Sequence, residues 1–126
     1  MGLRIWAAGP AQLIPPATDA FYDAIGNLRG GPVSEMANLE FRAGDAETLL
    51  RDYLTRLLVE FERNRRILTG PQAVLFDGQT LHVQGEWALL DEAASECLRE
   101  VKAVTYQELS IREVQGGVEA RVIVDI

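Results

Sequence analysis

The sequence predicts an α+β fold: one domain over residues 1–126, with a mixed, mostly antiparallel β-sheet and two α-helices packed on one of its faces. Three observations carry that expectation. Apolar and polar residues alternate near both ends of the chain, as they do along half-buried strands. An apolar stripe at helical spacing marks a long helix in the middle. The second half is punctuated by Asp77-Gly78 and Gly116-Gly117, both hairpin-turn signals.

Gly2 to Ala8 reads as a strand, with Leu3, Ile5 and Ala7 alternating against Arg4 and Trp6, and Gly9-Pro10 ends it. Pro15-Pro16 fits a loop or a first helical turn, because proline lacks an amide hydrogen and fixes φ. Ala17, Phe21, Ile25 and Leu28 then recur at helical spacing, which predicts a helix over 17–28. Gly30-Gly31-Pro32 is a turn cluster, and Val33 to Ala43 reads as a second strand. Asp45 is an N-cap candidate for the helix that follows. Leu49, Leu50, Tyr53, Leu54, Leu57, Leu58 and Phe61 form its apolar stripe, with Arg51, Asp52, Thr55, Arg56, Glu60 and Glu62 expected to face away. Thr69-Gly70-Pro71 is expected to close that helix. Ala73–Phe76 and Thr80–Trp87 flank the Asp77-Gly78 turn, and Leu90 to Leu98 fits either a short helix or a loop. Two long strands, Val101–Val114 and Val118–Ile126, complete the order around Gly116-Gly117.

Composition excludes several function classes. At 48% hydrophobic and 25% charged, the 126 residues are those of an ordinary globular domain. The apolar runs fall well short of the roughly 20 residues a membrane helix needs. No signal-peptide pattern opens the chain, and the lone Cys97 suits a reducing compartment, so a cytoplasmic protein is expected. A net charge of −7 without a basic, aromatic-studded stripe argues against direct nucleic-acid binding. The densest basic run, Arg63-Asn64-Arg65-Arg66, falls where a helix C-terminus favours cations. An acidic surface suits a basic partner or a bound cation.

Catalytic constellations are missing. There is no phosphate loop, no dinucleotide fingerprint and no nucleophile elbow, so neither a nucleotide nor an organic cofactor is indicated. One histidine and one cysteine cannot build the usual zinc site. His82, in a predicted strand between Leu81 and Val83, reads as structural, and Cys97 as a small core or half-buried residue. A two-residue turn at Gly116-Gly117 pairs Gln115 with Val118 and, counting outward, Leu109 with Val124, Glu108 with Asp125 and Gln107 with Ile126. Facing carboxylates are relieved by water, by a raised pKa, or by a cation between them. A solvated edge is the plainer reading of such a pair. With the carboxylate at Ile126, Glu108 and Asp125 would otherwise offer three hard oxygen groups suited to Ca²⁺ or Mg²⁺.

The same terminal segments resemble the archease family. Val101-Lys102-Ala103-Val104-Thr105-Tyr106 is similar to that family's Val-Lys-Ala-Ile/Val-Thr-Tyr, and Ala120-Arg121-Val122 leads to a final Asp125-Ile126 as family members do. Gly85-Glu86, Tyr53-Leu54 within the leucine-rich helix, and the opening Gly2-Leu3-Arg4-Ile5 match as well. The resemblance implies a small α+β accessory protein, not an enzyme, that assists an RtcB-type RNA-splicing ligase by promoting its guanylylation and turnover. It also implies a divalent-metal cluster made by an Asp of a His-Thr-Ala-Asp motif, the penultimate Asp and the terminal carboxylate, here Asp125 and Ile126. Two departures accompany it. Met1-Gly2 stands where the family reads Asp-Val-Gly, so the upstream motif is absent; a GTG valine codon taken as an initiator would account for this. Gln107-Glu108 replaces the family's His-Gly, and Glu108 is the residue that could stand in for the missing Asp. The alternative is a metal-free interaction or small-ligand module that kept the fold without ligase activation.

Overall fold

A long amphipathic helix organises the molecule. Helix α2 (Ala46–Asn64) begins at Asp45, whose carboxylate accepts the Thr48 amide at 2.7 Å. Every member of the predicted stripe from Leu49 to Phe61 is buried. The helix stops when Arg65 adopts a left-handed conformation (φ 48°) and donates its amide to the Phe61 carbonyl. Thr69-Gly70-Pro71 is therefore not the terminator. It lies within a strand, at a register shift between Thr69 and Gln72, where Gly70 (φ 59°) absorbs the kink. Glu60 also departs from expectation, since it is buried although the stripe spacing leaves it on the polar side.

The computed structural model describes residues 1–126 in full. Before α2 come β1 (Gly2–Ala7), a 3-10 turn (Ala11–Leu13), α1 (Ile14–Ile25), β2 (Gly26–Asn27) and β3 (Gly30–Arg42). After it come β4 (Arg66–Phe76), β5 (Thr80–Leu90), β6 (Glu96–Cys97), β7 (Ala103–Val104), β8 (Ser110–Val114) and β9 (Gly117–Asp125). Helix α1 starts earlier than its apolar spacing suggests, because Pro15 and Pro16 occupy its first turn. It ends before Gly26, where a Cβ would come within 2.0 Å of the Glu96 carbonyl oxygen, so Leu28 lies outside the helix.

All strand pairs are antiparallel. The strands divide between two sheets: β3-β5-β4 in the middle of the chain, and a terminal sheet in which β9 is flanked by β1 on one edge and by β7 and β8 on the other. A short β2-β6 ribbon stands apart and resolves the ambiguous stretch before Leu98 into turn and strand. The α+β class with two helices on antiparallel sheet thus stands, while the sheet is split. Helix α2 touches strands of both sheets, and α1 touches β1 and β4. One cluster of 31 buried residues fills the space between.

Buried hydroxyls lock the layers. Thr18 Oγ1 lies 2.7 Å from Tyr53 Oη and donates to the Ile14 carbonyl, joining α1 to α2. Tyr22 Oη accepts the Leu68 amide at 2.7 Å, joining α1 to β4. Burial pushes the phenols of Tyr22 and Tyr53 well above their ordinary values, so both stay neutral.

Candidate functional site

The terminal sheet brings the two ends of the chain together. Val124 exchanges both backbone bonds with Met1, at 2.9 Å each, and the Lys102 amide donates to the Asp125 carbonyl at 2.7 Å. Asp125 and Ile126 are exposed at this end of β9.

The partner strand is not the continuous one that was expected. Strand β7 pairs Ala103 with Asp125 and Val104 with Val124, whereas β8 pairs Ser110 with Arg121 through Val114 with Gly117. Thr105 to Leu109 loop out between them. The turn is Gln115-Gly116, with Gly116 at φ 82°, and Gly117 belongs to β9. The physical reason is a close crossing: a Cβ on Gly117 would sit 2.1 Å from the Ala7 carbonyl oxygen, so β1 draws this glycine into the sheet.

Glu108 consequently does not face Asp125. It occupies the loop in a left-handed conformation (φ 52°) and borders a small cleft with Gly2, Arg4 and Arg121. A left-handed residue is most easily glycine, so Glu108 holds a backbone conformation that L side chains rarely adopt. The three-oxygen arrangement expected of Glu108, Asp125 and Ile126 is thereby corrected. No group of three or more acidic, histidine or cysteine side chains is positioned to share an ion. Asp125 and the carboxylate of Ile126 are two hard oxygen groups where Ca²⁺ or Mg²⁺ takes six or more oxygens. The residues present do not fit a closed metal site.

What holds this end rigid is a residue the sequence assigned to the solvent face of α2. Arg51 Nε donates to the Val104 carbonyl at 3.0 Å, and its guanidinium stacks 4.5 Å from the centroid of Tyr106. It also pairs with Asp52 at 3.3 Å. Thr105 Oγ1 donates to the Ile123 carbonyl at 3.0 Å and accepts the Gln107 amide at 3.3 Å, which shapes the loop. Arg51 thus ties α2 to the strand that carries the pairing of Asp125. Only its half-buried stem and a tertiary partner mark this role, so spacing could not have found it.

Other expected features resolve more simply. Two arginines of the basic run are paired: Arg65 forms two bonds of 2.9 Å to Glu92, and Arg66 pairs with Glu60 at 2.7 Å and with Glu35 at 2.5 Å. His82 sits beside Asn38 on the adjacent strand, with the two side chains hydrogen-bonded. Cys97 corrects its expectation, being exposed on β6, because the two-residue ribbon carries no apolar layer over it. No helix is long and apolar enough to cross a membrane.

A family model described as the Archease protein family matches residues 1–126. Protein archease of Methanopyrus kandleri is 27% identical over 131 residues, covering 98% of this chain and 90% of that protein. The crystal structure of an archease from Thermotoga maritima, described as a possible chaperone, shares the fold. Its TM-score is 0.74 at 16% identity, and the match covers 100% of this chain and 90% of that one.

Proposed function

The chain belongs to the archease family, and from that premise we propose that it is an accessory protein that activates an RtcB-type RNA-splicing ligase, promoting guanylylation and turnover. The observation that carries this reading is the exposed Asp125-Ile126 end, held in register by Lys102, Val104 and Arg51. A flexible tail would lose conformational entropy on docking, whereas a paired strand end presents its carboxylates already in place. These groups would act by contact with the ligase and would not perform chemistry alone. A divalent ion, Ca²⁺ or Mg²⁺, at Asp125 would draw most of its oxygens from the partner. The protein would work in the cytoplasm on a protein partner.

The test is guanylate loading of the cognate ligase, measured with and without the protein, and with Asp125→Asn. Stimulation by the wild type and a loss of at least about tenfold in Asp125→Asn, equivalent to about 1.4 kcal/mol, is the expected result. Unchanged loading on adding the wild type would remove the reading. Ala103, not a second carboxylate, faces Asp125, which favours a second possibility of metal-free binding. Equal stimulation after chelation of an ion the ligase itself does not need would select it.

A further inference from the structure

The outer face of the terminal sheet gathers three arginines that are far apart in sequence. Arg4 on β1 stands opposite Arg121 on β9, and Arg112 on β8 stands opposite Glu119. The Glu119 carboxylate takes Arg112 Nη2 and Arg121 Nε at 3.0 Å each and Arg4 Nη2 at 3.5 Å. Its side chain is only 5% exposed, while those of Arg4, Arg112 and Arg121 are 54%, 56% and 43% exposed. A guanidinium has five N–H donors, so each arginine keeps most of its fork free. Directly across from Glu119 on β1 is Trp6, 57% exposed, with Arg4 5.4 Å from its ring centroid.

A cross-strand ion-pair network alone would balance its charges. This one has three cations on one carboxylate, and the other acids at the face, Glu108 in the bordering loop and Asp125 further along β9 from Arg121, form no ion pair with them. The chain as a whole is acidic, at net −7, so a face with three cations on one carboxylate stands out from it. Exposed tryptophan beside arginine is the composition that dominates binding energy at protein interfaces. A long polyanion would meet the acidic remainder of the molecule, whereas a few carboxylates on a folded partner match the patch alone.

We propose that the Arg4-Arg112-Arg121 face, with Trp6, is a docking surface for an acidic, carboxylate-bearing patch on a partner protein. Glu119 acts as a positioning residue, holding the three guanidinium groups within reach of one another with their free edges outward. The partner's carboxylates would accept paired N–H donors, and an apolar residue among them would cover the Trp6 ring. This surface rests on the reading above that a ligase is the partner.

The test uses calorimetric binding of the cognate ligase to the wild type, to the double variant Arg4→Gln/Arg112→Gln, and to Trp6→Ala. The double variant leaves Arg121 paired with Glu119, so the buried carboxylate keeps a partner and the fold is protected. Wild-type binding that weakens at least about tenfold in either variant, and about as much between roughly 50 and 500 mM salt, is expected. Ligase binding that is equal in all three proteins would overturn the docking surface and leave the ligase reading intact. No binding by the wild type would overturn both. A second arm titrates a ten-nucleotide single-stranded oligouridylate and follows Trp6 fluorescence, Trp87 being buried. Quenching lost in the double variant, with ligase binding unaffected, would reassign the face to RNA.

Discussion

Two buried carboxylates, Glu60 and Glu119, are each ringed by three donor side chains, yet the two rings are built for different ends. Around Glu60, Arg66 donates at 2.7 Å, Asn64 at 2.8 Å and Arg56 at 3.2 Å. Arg66 is itself covered, 15% exposed, paired with Glu35 and 4.7 Å from the centroid of Trp87. The ring joins the end of α2 to β3, β4 and β5, and its charges are used up. Around Glu119 all three donors are arginines with solvent on their outer sides. The same carboxylate chemistry therefore closes one junction and arms one surface. Charge balance separates the two, not burial of the acid: Glu60 and Glu35 match Arg56 and Arg66, whereas Glu119 alone meets three arginines.

The comparison breaks first at Glu60. Glu60→Ala should lower stability by about 2–3 kcal/mol, because it strips a hydrogen-bonded counter-charge from a half-closed site and leaves Arg66 with only the exposed Glu35 as its partner. Hydrogen bonding from Arg66, joined by Asn64 and the charge of Arg66, holds the Glu60 carboxyl down at about 2 against an ordinary 4.5. A depressed folded-state pKa stabilises above the unfolded value and is lost as pH falls. Wild-type stability should thus decline from about pH 4.5 toward about pH 2 more steeply than that of Glu60→Ala. Urea unfolding across that range measures both slopes, and parallel slopes would show that Glu60 does not govern the acid limb.

Glu119→Gln sharpens the contrast by separating an effect on stability from an effect on binding. Desolvation pushes the Glu119 carboxyl up, but bonds from Arg112 and Arg121 and the nearby arginine charges outweigh it and hold it below its ordinary value. Removing its charge should lower the melting temperature less than half as much as Glu60→Ala does, since the arginines can turn to water. Ligase affinity should nonetheless fall several-fold, because the guanidinium groups lose the carboxylate that gathers them into one face. A melting loss equal to that of Glu60→Ala would make this ring a second structural junction.

The parts of the molecule that local chemistry specifies were legible. Asp45, the Leu49–Phe61 stripe and the Asp77-Gly78 turn each carry their reason within a few residues, and Asp77 accepts the Gln79 and Thr80 amides at 3.0 and 2.7 Å. The register of the last strands was not legible, because Gly117 is placed by the backbone of Ala7, more than a hundred residues earlier. Glu60 follows Leu57 by three residues and so borders the apolar stripe, but only Arg66, arriving on another element, decides that it is buried. Within the candidate site, Asp125 ends β9 and Ile126 follows it, both exposed. Glu108 was misplaced by assuming an unbroken ladder, and Arg51 was missed because its partners lie on β7 and the loop after it. Whole-chain charge likewise hid the arginine face, since a sum of −7 carries no information about which residues a sheet collects.

Arg4→Gln is the smallest perturbation and the most discriminating. Its bond to Glu119, at 3.5 Å, is the longest of the three, and its side chain is more than half exposed. Exposed pairs of this kind contribute little, so urea unfolding should register a change within about 0.5 kcal/mol. Arg112 and Arg121 remain on Glu119 at 3.0 Å each, which keeps the buried carboxylate satisfied. Ligase affinity should nonetheless fall several-fold, because the fork of Arg4 and its stacking on Trp6 are directed at the partner, not at the fold. If affinity were unchanged and stability dropped as it does on losing a buried pair, Arg4 would belong with Arg66 as a structural clamp, and the distinction between the two rings would disappear.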